Sequence, residues 1–568
     1  MNIYTEKSNK KKGLLMQAGI LAMAGMISRV IGLLYGSPLA AIIGDEGNGY
    51  YGAAYQIYTI VLFISSYSIP SAMSKIISQK LAVKEYRNAH RIFHCALIYV
   101  TIVGLLGSLL LFLGANVLVA GRSATVLRFF APTIFLFGFL GVLRGYFQAH
   151  RTMIPTSISQ LLEQIINAIV SVTGAYILTG IAGNEDPSKR AVYGAIGSAL
   201  GTGSGVLIAL LFMLLVYYAN KKNITRRVQN DTHDIMPDKE IFKLIILIVT
   251  PFIISSSIYN LSSFLNWTLF SRILIYVKKM EESTVVAMYG IFTRKAMVIT
   301  NLPISLASAA AAAMIPEISI LFAKGDKEGT SETVSKVVKV ILLIAIPCAA
   351  GLLFLAKPII MILFPQRVSI DEAALLLRIL SVTVVFYSLS TLTNAVLQGI
   401  GRVHVPVVNA VIALVIQTIV LSGLLLFTNI TDEALCIVTI VYSAMMCVLN
   451  AYSLRKNIKT DTDYKTIVIL PALSALVMGV FAYLSYVVVT FLFYIVSRLN
   501  AALIEISFKD YMYSSYFVNL VASMISIILA VVVYFTVLIK TGGATEEDIK
   551  RLPKGTSLAN LLKKIKIL

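Results

Sequence analysis

Long apolar runs alternate with short polar segments along the whole chain. A helix of about 20 apolar residues crosses the roughly 30 Å of hydrocarbon in a bilayer, and fourteen runs reach that length. The runs are 14–43, 50–70, 92–119, 126–147, 155–181, 191–219, 241–270, 285–315, 334–364, 373–397, 404–427, 434–454, 464–495 and 516–539. The pattern therefore predicts an all-α polytopic membrane protein with about fourteen transmembrane helices.

The composition agrees with a membrane protein and excludes two soluble classes. Of the 568 residues, 58% are hydrophobic and 13% are charged, with a mean hydropathy of +0.83. A soluble domain is about half apolar and a quarter charged, so a cytosolic enzyme is excluded. The formal net charge of +20 is not gathered into a separate basic domain, so nucleic acid is not an expected partner.

Lysine and arginine cluster in alternate connections, and this sets the predicted topology. Cytoplasmic loops of membrane proteins are enriched in both residues. Most of the 48 Lys and Arg residues fall on one side if the N-terminal tail is cytoplasmic. The basic segments on that side are 7–12, 75–91, 221–243, 324–339, 455–465 and the C-terminal tail. We therefore predict that both termini are cytoplasmic.

Two short motifs recur six spans apart. Pro70 and Pro303 lie in related apolar contexts, and segment 148–155 resembles segment 398–406. A six-helix displacement preserves topology, so we expect parallel repeats with a site between them near the membrane midplane. The predicted organisation is an N-terminal lobe at 1–220, a cytoplasmic inter-lobe loop at 221–240, a C-terminal lobe at 241–456, two further helices at 457–540 and a cytoplasmic amphipathic tail at 541–568.

The tail carries apolar residues at helical spacing between lysines. Such a helix is typical of a segment that lies on the anionic inner leaflet. A regulatory or partner-binding role is the alternative interpretation.

Ionisable side chains inside the spans are the strongest functional signal. Each costs about 3 kcal/mol in hydrocarbon on insertion scales, so it normally faces a cavity or a partner. The bases are Arg29 in span one, Lys75 at the inner end of span two, Arg294 and Lys295 in span eight and Arg378 in span ten, and the acids are Glu163 and Glu317. Because arginine binds phosphate or pyrophosphate in a bidentate manner, the excess of bases favours an anionic substrate over a drug cation.

Each candidate also has a structural interpretation. Lys75 and Arg378 lie near span ends, where a long side chain can reach the interface. Arg294 and Lys295 point about 100° apart on a helix, so only one of them aims at a given site. Glu163 either neutralises one of these span arginines or carries a proton.

The chain contains no arrangement typical of catalysis, so we expect a transporter rather than an enzyme, with no cofactor and no metal. The glycine-rich segment 201–205 lies inside a span, lacks the lysine of a phosphate-binding loop and predicts close helix packing. Four cysteines lie singly in apolar runs, as packing residues do. Because the chain lacks an ATPase, uphill transport would draw on a Na⁺ or H⁺ gradient or on the membrane potential.

Several motifs together resemble one known family. They include SRVIG at 28–32, IPSAMSK at 69–75, RGYFQ at 144–148, PEI at 316–318 and LQG at 397–399. The chain resembles the Gram-positive MurJ/SpoVB-type lipid II flippases of the multidrug/oligosaccharidyl-lipid/polysaccharide (MOP) superfamily, and the resemblance covers essentially its whole length.

This resemblance implies two six-helix lobes around a cationic cavity in the bacterial cell membrane. It implies that Arg29, Lys75 and Arg294 bind the pyrophosphate of lipid II, which moves to the outer leaflet for peptidoglycan and cell wall synthesis. It also implies that helices thirteen and fourteen form a groove for the polyprenyl tail. In one departure, Tyr35 replaces a second arginine of diderm relatives, so the clamp is built differently or the substrate differs. A teichoic-acid or capsule precursor flippase, or a non-transporting scaffold for wall-synthesis enzymes, stays open as an alternative.

Overall fold

The computed structural model describes residues 10–67, 69–119, 121–150, 152–183, 186–365, 368–402, 404–458, 463–499, 507–550 and 555–564. All regular secondary structure in these ranges is helical, and every predicted span coincides with one or more helical segments. The all-α prediction is therefore confirmed. The chain divides into two compact units, Met1–Gly290 and Ile291–Leu568.

The described residues of unit 1 form eight α-helices. They are α1 (Lys10–Leu62), α2 (Ile69–Ala82), α3 (Tyr86–Leu118), α4 (Ser123–Ala149), α5 (Ile154–Ala182), α6 (Pro187–Gln229), α7 (Asp238–Arg272) and α8 (Glu282–Gly290). One buried core joins α2, α3, α4, α6 and α7 through residues such as Met73, Phe93, Phe147, Met213 and Val249. A π-helical turn at Phe63–Tyr67 precedes α2. The helix α2 begins beside Pro70, because proline is tolerated in the first turn of an α-helix, where its missing N–H would have no partner.

The connection between spans one and two is a tight kink within the helical stretch α1. Gly44 lies at the kink, and its φ of 67° is not helical. Glycine adopts this left-handed backbone without steric cost. The side chain of Asn48 donates to the carbonyl of Gly44 at 2.9 Å and fixes the kink. The stretch α1 therefore consists of two helices that meet at Gly44, where the first apolar run of the sequence ends.

The inter-lobe segment is tied to the start of α3. The Arg87 amide donates to Asp231 at 2.7 Å, and the Asn88 side chain donates to the carbonyl of Asp234 at 2.9 Å. The Met236 amide returns a bond of 2.9 Å to Asn88. These bonds hold the segment before α7 against unit 1.

Twelve α-helices lie in the part of unit 2 that the structure describes. They are α9 (Met297–Ala323), α10 (Lys327–Phe354), α11 (Ala356–Leu363), α12 (Ile370–Leu380), α13 (Thr383–Gly399), α14 (His404–Phe427), α15 (Asp432–Asn457), α16 (Leu470–Leu499), α17 (Phe508–Tyr511), α18 (Tyr516–Lys540), α19 (Glu546–Lys550) and α20 (Gly555–Lys564). A π-helical turn at Ile291–Ala296 precedes α9. The helices α12 and α13 meet at a bend of 43°.

The described part of the C-terminal tail packs on protein. Ile549 and Ala559 are fully buried and Leu562 is 2% exposed in a cluster with residues of α10, α16 and α18. Lys339 of α10 bonds to Asp548 at 2.6 Å. An amphipathic helix buries its apolar face in lipid or in protein, and unit 2 supplies that surface for these residues. Leu558, Leu561, Ile565 and Leu568, which complete the predicted apolar face, lie outside the described side chains, so adhesion of the tail to lipid stays a prediction.

Ten helices in the described residues are long and apolar enough to cross a membrane, or eleven if the bent pair α12 and α13 is one span. The chain is a multi-pass membrane protein, but the count of fourteen is not confirmed. The lobe boundaries, the parallel repeats and the cytoplasmic position of both termini stay predictions.

Candidate functional site

Arg29 is an exposed residue of α1 at the level of a polar segment of α5. A Cβ atom at Gly25 would lie 3.9 Å from Nε2 of Gln160, and one at Gly32 would lie 4.0 Å from Nε2 of Gln164. These two approaches fix the register of α1 against α5. Arg29 lies between the glycines and residue 163 lies between the glutamines, so the two charged residues share one level.

Polar side chains form a stripe along one face of α5, which we call the α5 polar stripe. Its members recur every three or four residues and therefore share a helix face; they are Gln160, Glu163, Gln164, Asn167 and Ser171. The Asn167 amide donates to the Tyr35 hydroxyl at 3.3 Å. Tyr35, which stands where diderm relatives have an arginine, thus joins the stripe instead of adding a positive charge.

Glu163 forms an ion pair with Arg144 of α4, a residue that the sequence singles out only as part of a motif. The distance between Nη2 of Arg144 and Oε2 of Glu163 is 2.8 Å, and Nε of Arg144 donates to Oγ of Ser159 at 2.9 Å. Glu163 therefore neutralises an arginine, but this partner is Arg144 and not one of the span arginines that the sequence singles out. The charge of Arg144 inside span four is a visible signal in the sequence, but its partner depends on how α4 packs against α5.

Lys75 is exposed on α2. The opposite face of α2 carries Ala72, Met73, Ile76 and Ile77, which lie in the core of unit 1. The ammonium of Lys75 therefore points away from that core.

Arg294 and Lys295 lie in the π-helical turn before α9, in unit 2. Such turns are frequent at functional sites. Lys295 is 1% exposed, and its ammonium donates to the carbonyl of Val368 at 2.8 Å, so this side chain is committed to a structural contact. Arg294 is half-buried and is the better candidate of the pair.

Arg378 is exposed in the last turn of α12, and the side chain of Glu317 lies outside the described residues. Unit 1 thus holds Arg29, Lys75 and the Arg144–Glu163 pair, whereas Arg294 belongs to unit 2. The joint binding of one pyrophosphate by Arg29, Lys75 and Arg294 stays a prediction.

The glycine-rich segment 201–205 packs closely against α5. A Cβ atom at Gly201 would lie 2.5 Å from the amide nitrogen and 2.7 Å from Cα of Ser171. At Gly205 it would clash with the carbonyl oxygen of Glu163. The prediction of a helix-packing stripe is confirmed. This close approach holds the backbone of the α5 polar stripe in place.

Groups that could hold a metal are not found in the described part of the chain, since no three His, Cys, Asp or Glu residues cluster suitably there. All four cysteines are free, and each is buried or half-buried.

Two protein families match parts of this chain. The family described as polysaccharide biosynthesis protein matches residues 14–322, which is more than half of the chain. The MatE family matches residues 259–422.

Three relatives come from Bacillus subtilis (strain 168). The lipid II flippase MurJ is 23% identical over 70% of this chain and 75% of its own length. The stage V sporulation protein B is 24% identical with the same coverage. The uncharacterized membrane protein YabM is 24% identical over 96% of both chains.

Solved structures support the fold. A MATE family transporter of the MOP superfamily in an inward-facing conformation has a TM-score of 0.63 at 17% identity, covering 78% of this chain and 98% of its own. The lipid II flippase MurJ in an inward closed conformation has a TM-score of 0.60 at 14% identity, covering 90% and 97%. Because the family described as polysaccharide biosynthesis protein matches more than half of the chain, the chain belongs to that family.

Proposed function

We propose that this protein is a flippase that moves a lipid-linked oligosaccharide, with lipid II as the substrate, from the inner to the outer leaflet. The observation that carries the proposal is Arg29, a cation in the middle of an apolar span, in a member of this family. One of the three Bacillus relatives supports it by name, as a lipid II flippase.

In the proposed mechanism the pyrophosphate of the lipid binds to Arg29, Lys75 and Arg294 during alternating access. Guanidinium groups suit this role because they stay charged when partly dehydrated and donate parallel hydrogen bonds to phosphate oxygens. The helices α16 and α18 accommodate the polyprenyl tail. A Na⁺ or H⁺ gradient, or the membrane potential, resets the empty carrier, with both termini in the cytoplasm.

The test measures lipid II on the outer face of cells that depend on this chain as their flippase. A membrane-impermeant enzyme that cleaves lipid II reports the exposed fraction. We expect depletion of the chain to abolish exposure, Arg29→Ala to reduce it at least tenfold and Arg29→Lys to retain part of it. A tenfold loss corresponds to about 1.4 kcal/mol, which is close to the lower end of the contribution of one hydrogen bond to a charged group, about 1.5–3 kcal/mol.

Arg226→Ala is the matched control, because Arg226 is an exposed arginine at the end of α6, and exposure of lipid II should not change. Unchanged exposure after Arg29→Ala would contradict the role of Arg29. If depletion left lipid II exposed while a teichoic-acid or capsule precursor accumulated inside, the substrate assignment would be wrong.

A further inference from the structure

The Arg144–Glu163 ion pair has no role in the function proposed above. Its two side chains are only 11% and 25% exposed, and Ser159 holds the guanidinium from a second side. The pair is open mainly on the side of Glu163. A group entering from that side would meet the carboxylate first and the guanidinium behind it.

Stability does not explain why such a pair is retained. Removing two charges from water costs several kcal/mol per ion, and apolar replacements of a buried pair are often neutral or stabilising. Inside a bilayer, ionisable residues usually mark a substrate or ion pathway. A functional role for one of the two side chains therefore explains the ion pair better than its contribution to stability does.

The position of the pair points toward the polar interior of unit 1 and away from lipid. The exposed apolar residues of α5 include Ile158, Ile165 and Ile169, at 39%, 42% and 55% exposure. At about 100° per residue, position 163 lies on the opposite side of the helix from these three. Glu163 belongs to the α5 polar stripe, at the level of Arg29.

We propose that Arg144 is a further phosphate-binding residue and that Glu163 occupies its guanidinium while no substrate is bound. A carboxylate and a phosphate present similar oxygen pairs to the planar fork of arginine, so one can replace the other. When a phosphate oxygen replaces Oε2 of Glu163, no covalent bond changes and the released carboxylate turns to the open side. The inference rests on the proposed function, because it assumes an anionic headgroup near Arg29.

The test is binding of inorganic pyrophosphate to the purified full-length protein in nanodiscs, measured by calorimetry. Glu163→Gln removes the competing charge but keeps a side chain of the same size. We expect its affinity for pyrophosphate to rise about tenfold, the scale of one hydrogen bond to a charged group. Arg144→Gln should lower affinity about tenfold, and Arg144→Lys should fall between them because the ammonium keeps the charge without the fork.

The double variant Arg144→Gln with Glu163→Gln separates a competitor from a merely structural partner. If Glu163 acts by occupying Arg144, the double variant binds no more tightly than Arg144→Gln alone. Glu240→Gln removes an exposed carboxylate from the first turn of α7 and should leave affinity unchanged. The melting temperature of each variant confirms that it is folded.

Unchanged or weaker binding by folded Glu163→Gln would overturn the inference. If the wild type bound pyrophosphate, Arg29→Gln weakened this binding and both Arg144 variants left it unchanged, this inference alone would fail. If it bound neither the wild type nor Glu163→Gln, the proposed function would fail with it.

Discussion

The close contact between α5 and α6 in unit 1 depends on the absence of Cβ atoms at glycine positions such as Gly201. At Gly201 a Cβ atom would approach the backbone of Ser171 to 2.5 Å, and backbone cannot rotate away as a flexible side chain can. We predict that Gly201→Ala forces α6 away from α5 and destabilises the protein by about 1–3 kcal/mol, the usual cost of overpacking. A lower melting temperature in detergent would show this.

Gly423 supplies the matched control for Gly201. It lies inside α14, where the described residues leave open space to 4 Å around the position that a Cβ atom would take. Alanine there should stabilise the helix by up to about 1 kcal/mol, because glycine loses more backbone freedom on folding. Equal melting temperatures for Gly201→Ala and Gly423→Ala would contradict the close-packing interpretation.

Single residues also show how far sequence reasoning reaches into the site. The sequence identifies Arg29 as a candidate binding residue because the apolar residues around it are contiguous along the chain. The cost of placing a charge among them is therefore visible without the structure. The sequence assigns no partner to Arg144, since the bond to Glu163 needs the packing of α4 against α5. The burial of Lys295 likewise depends on Val368, which is 73 residues away in the chain.

At the scale of elements, the apolar pattern locates the helices but not all of their breaks. Span nine divides at Leu355 into α10 and α11. Pro358 explains the division, because its ring clashes with the carbonyl four residues earlier and it has no N–H to donate. The sequence contains the same signal at Pro347, yet α10 continues through that residue. Proline alone therefore does not predict where a span breaks.

The C-terminal tail gives a prediction about how one element is held. Asp548 accepts from Lys339 at 2.6 Å and from the amide of Thr545 at 2.9 Å. Burial would raise the pKa of Asp548, but the bonds from Lys339 and Thr545 outweigh it and lower the pKa. Asp548→Asn should weaken docking by about 1.5–3 kcal/mol, the range for bonds to a charged group. Faster hydrogen exchange in α19 and α20 would report the loss.

The control for Asp548 is Glu332→Gln. Glu332 pairs with Lys336 one turn away on α10, and its side chain is 67% exposed. Exposed pairs of this kind contribute about 0.3–0.5 kcal/mol, so exchange in the tail should not change. If Asp548→Asn left exchange in the tail as slow as in the wild type, the apolar contacts of Ile549 and Leu562 alone would hold the tail.

The inter-lobe segment should respond to pH through Asp231. Burial favours the neutral acid, but the amides of Arg87 and His233 and the ring of His233 bond to the carboxylate and lower its pKa to about 2. A group whose pKa is lower in the folded than in the unfolded protein stabilises the fold at pH values above its unfolded pKa, which is about 3.9 for aspartate. This stabilisation is lost as the pH falls toward the folded pKa. We expect hydrogen exchange at Arg87 to show constant protection from pH 7 to about 5.

Protection at Arg87 should then decline below about pH 4, once intrinsic exchange is corrected for pH. Asp231→Asn should show weaker protection at neutral pH and no such decline. A wild type whose protection increased as the pH fell from about 4 toward 2 would contradict the assigned sign.

At the scale of the whole molecule, the length of the first helical stretch decides between one crossing and two. Met23–Ala82 forms a run of 60 residues, which would extend about 90 Å if straight. The hydrocarbon is about 30 Å thick, so one crossing would leave most of this apolar run in water. The kink at Gly44 allows the chain to turn back, and two crossings place both ends on one side.

Cysteine labelling tests that arrangement after the four native cysteines are replaced. Lys12→Cys and Lys84→Cys flank the run, and both should react with a membrane-impermeant maleimide only after the cells are opened. Asn429→Cys, in the exposed connection between α14 and α15, should react in intact cells, because spans seven to eleven separate it from the basic segment 221–243. Labelling of Lys84→Cys but not of Lys12→Cys in intact cells would mean a single crossing and would invert the sidedness of every later loop, including the docked tail.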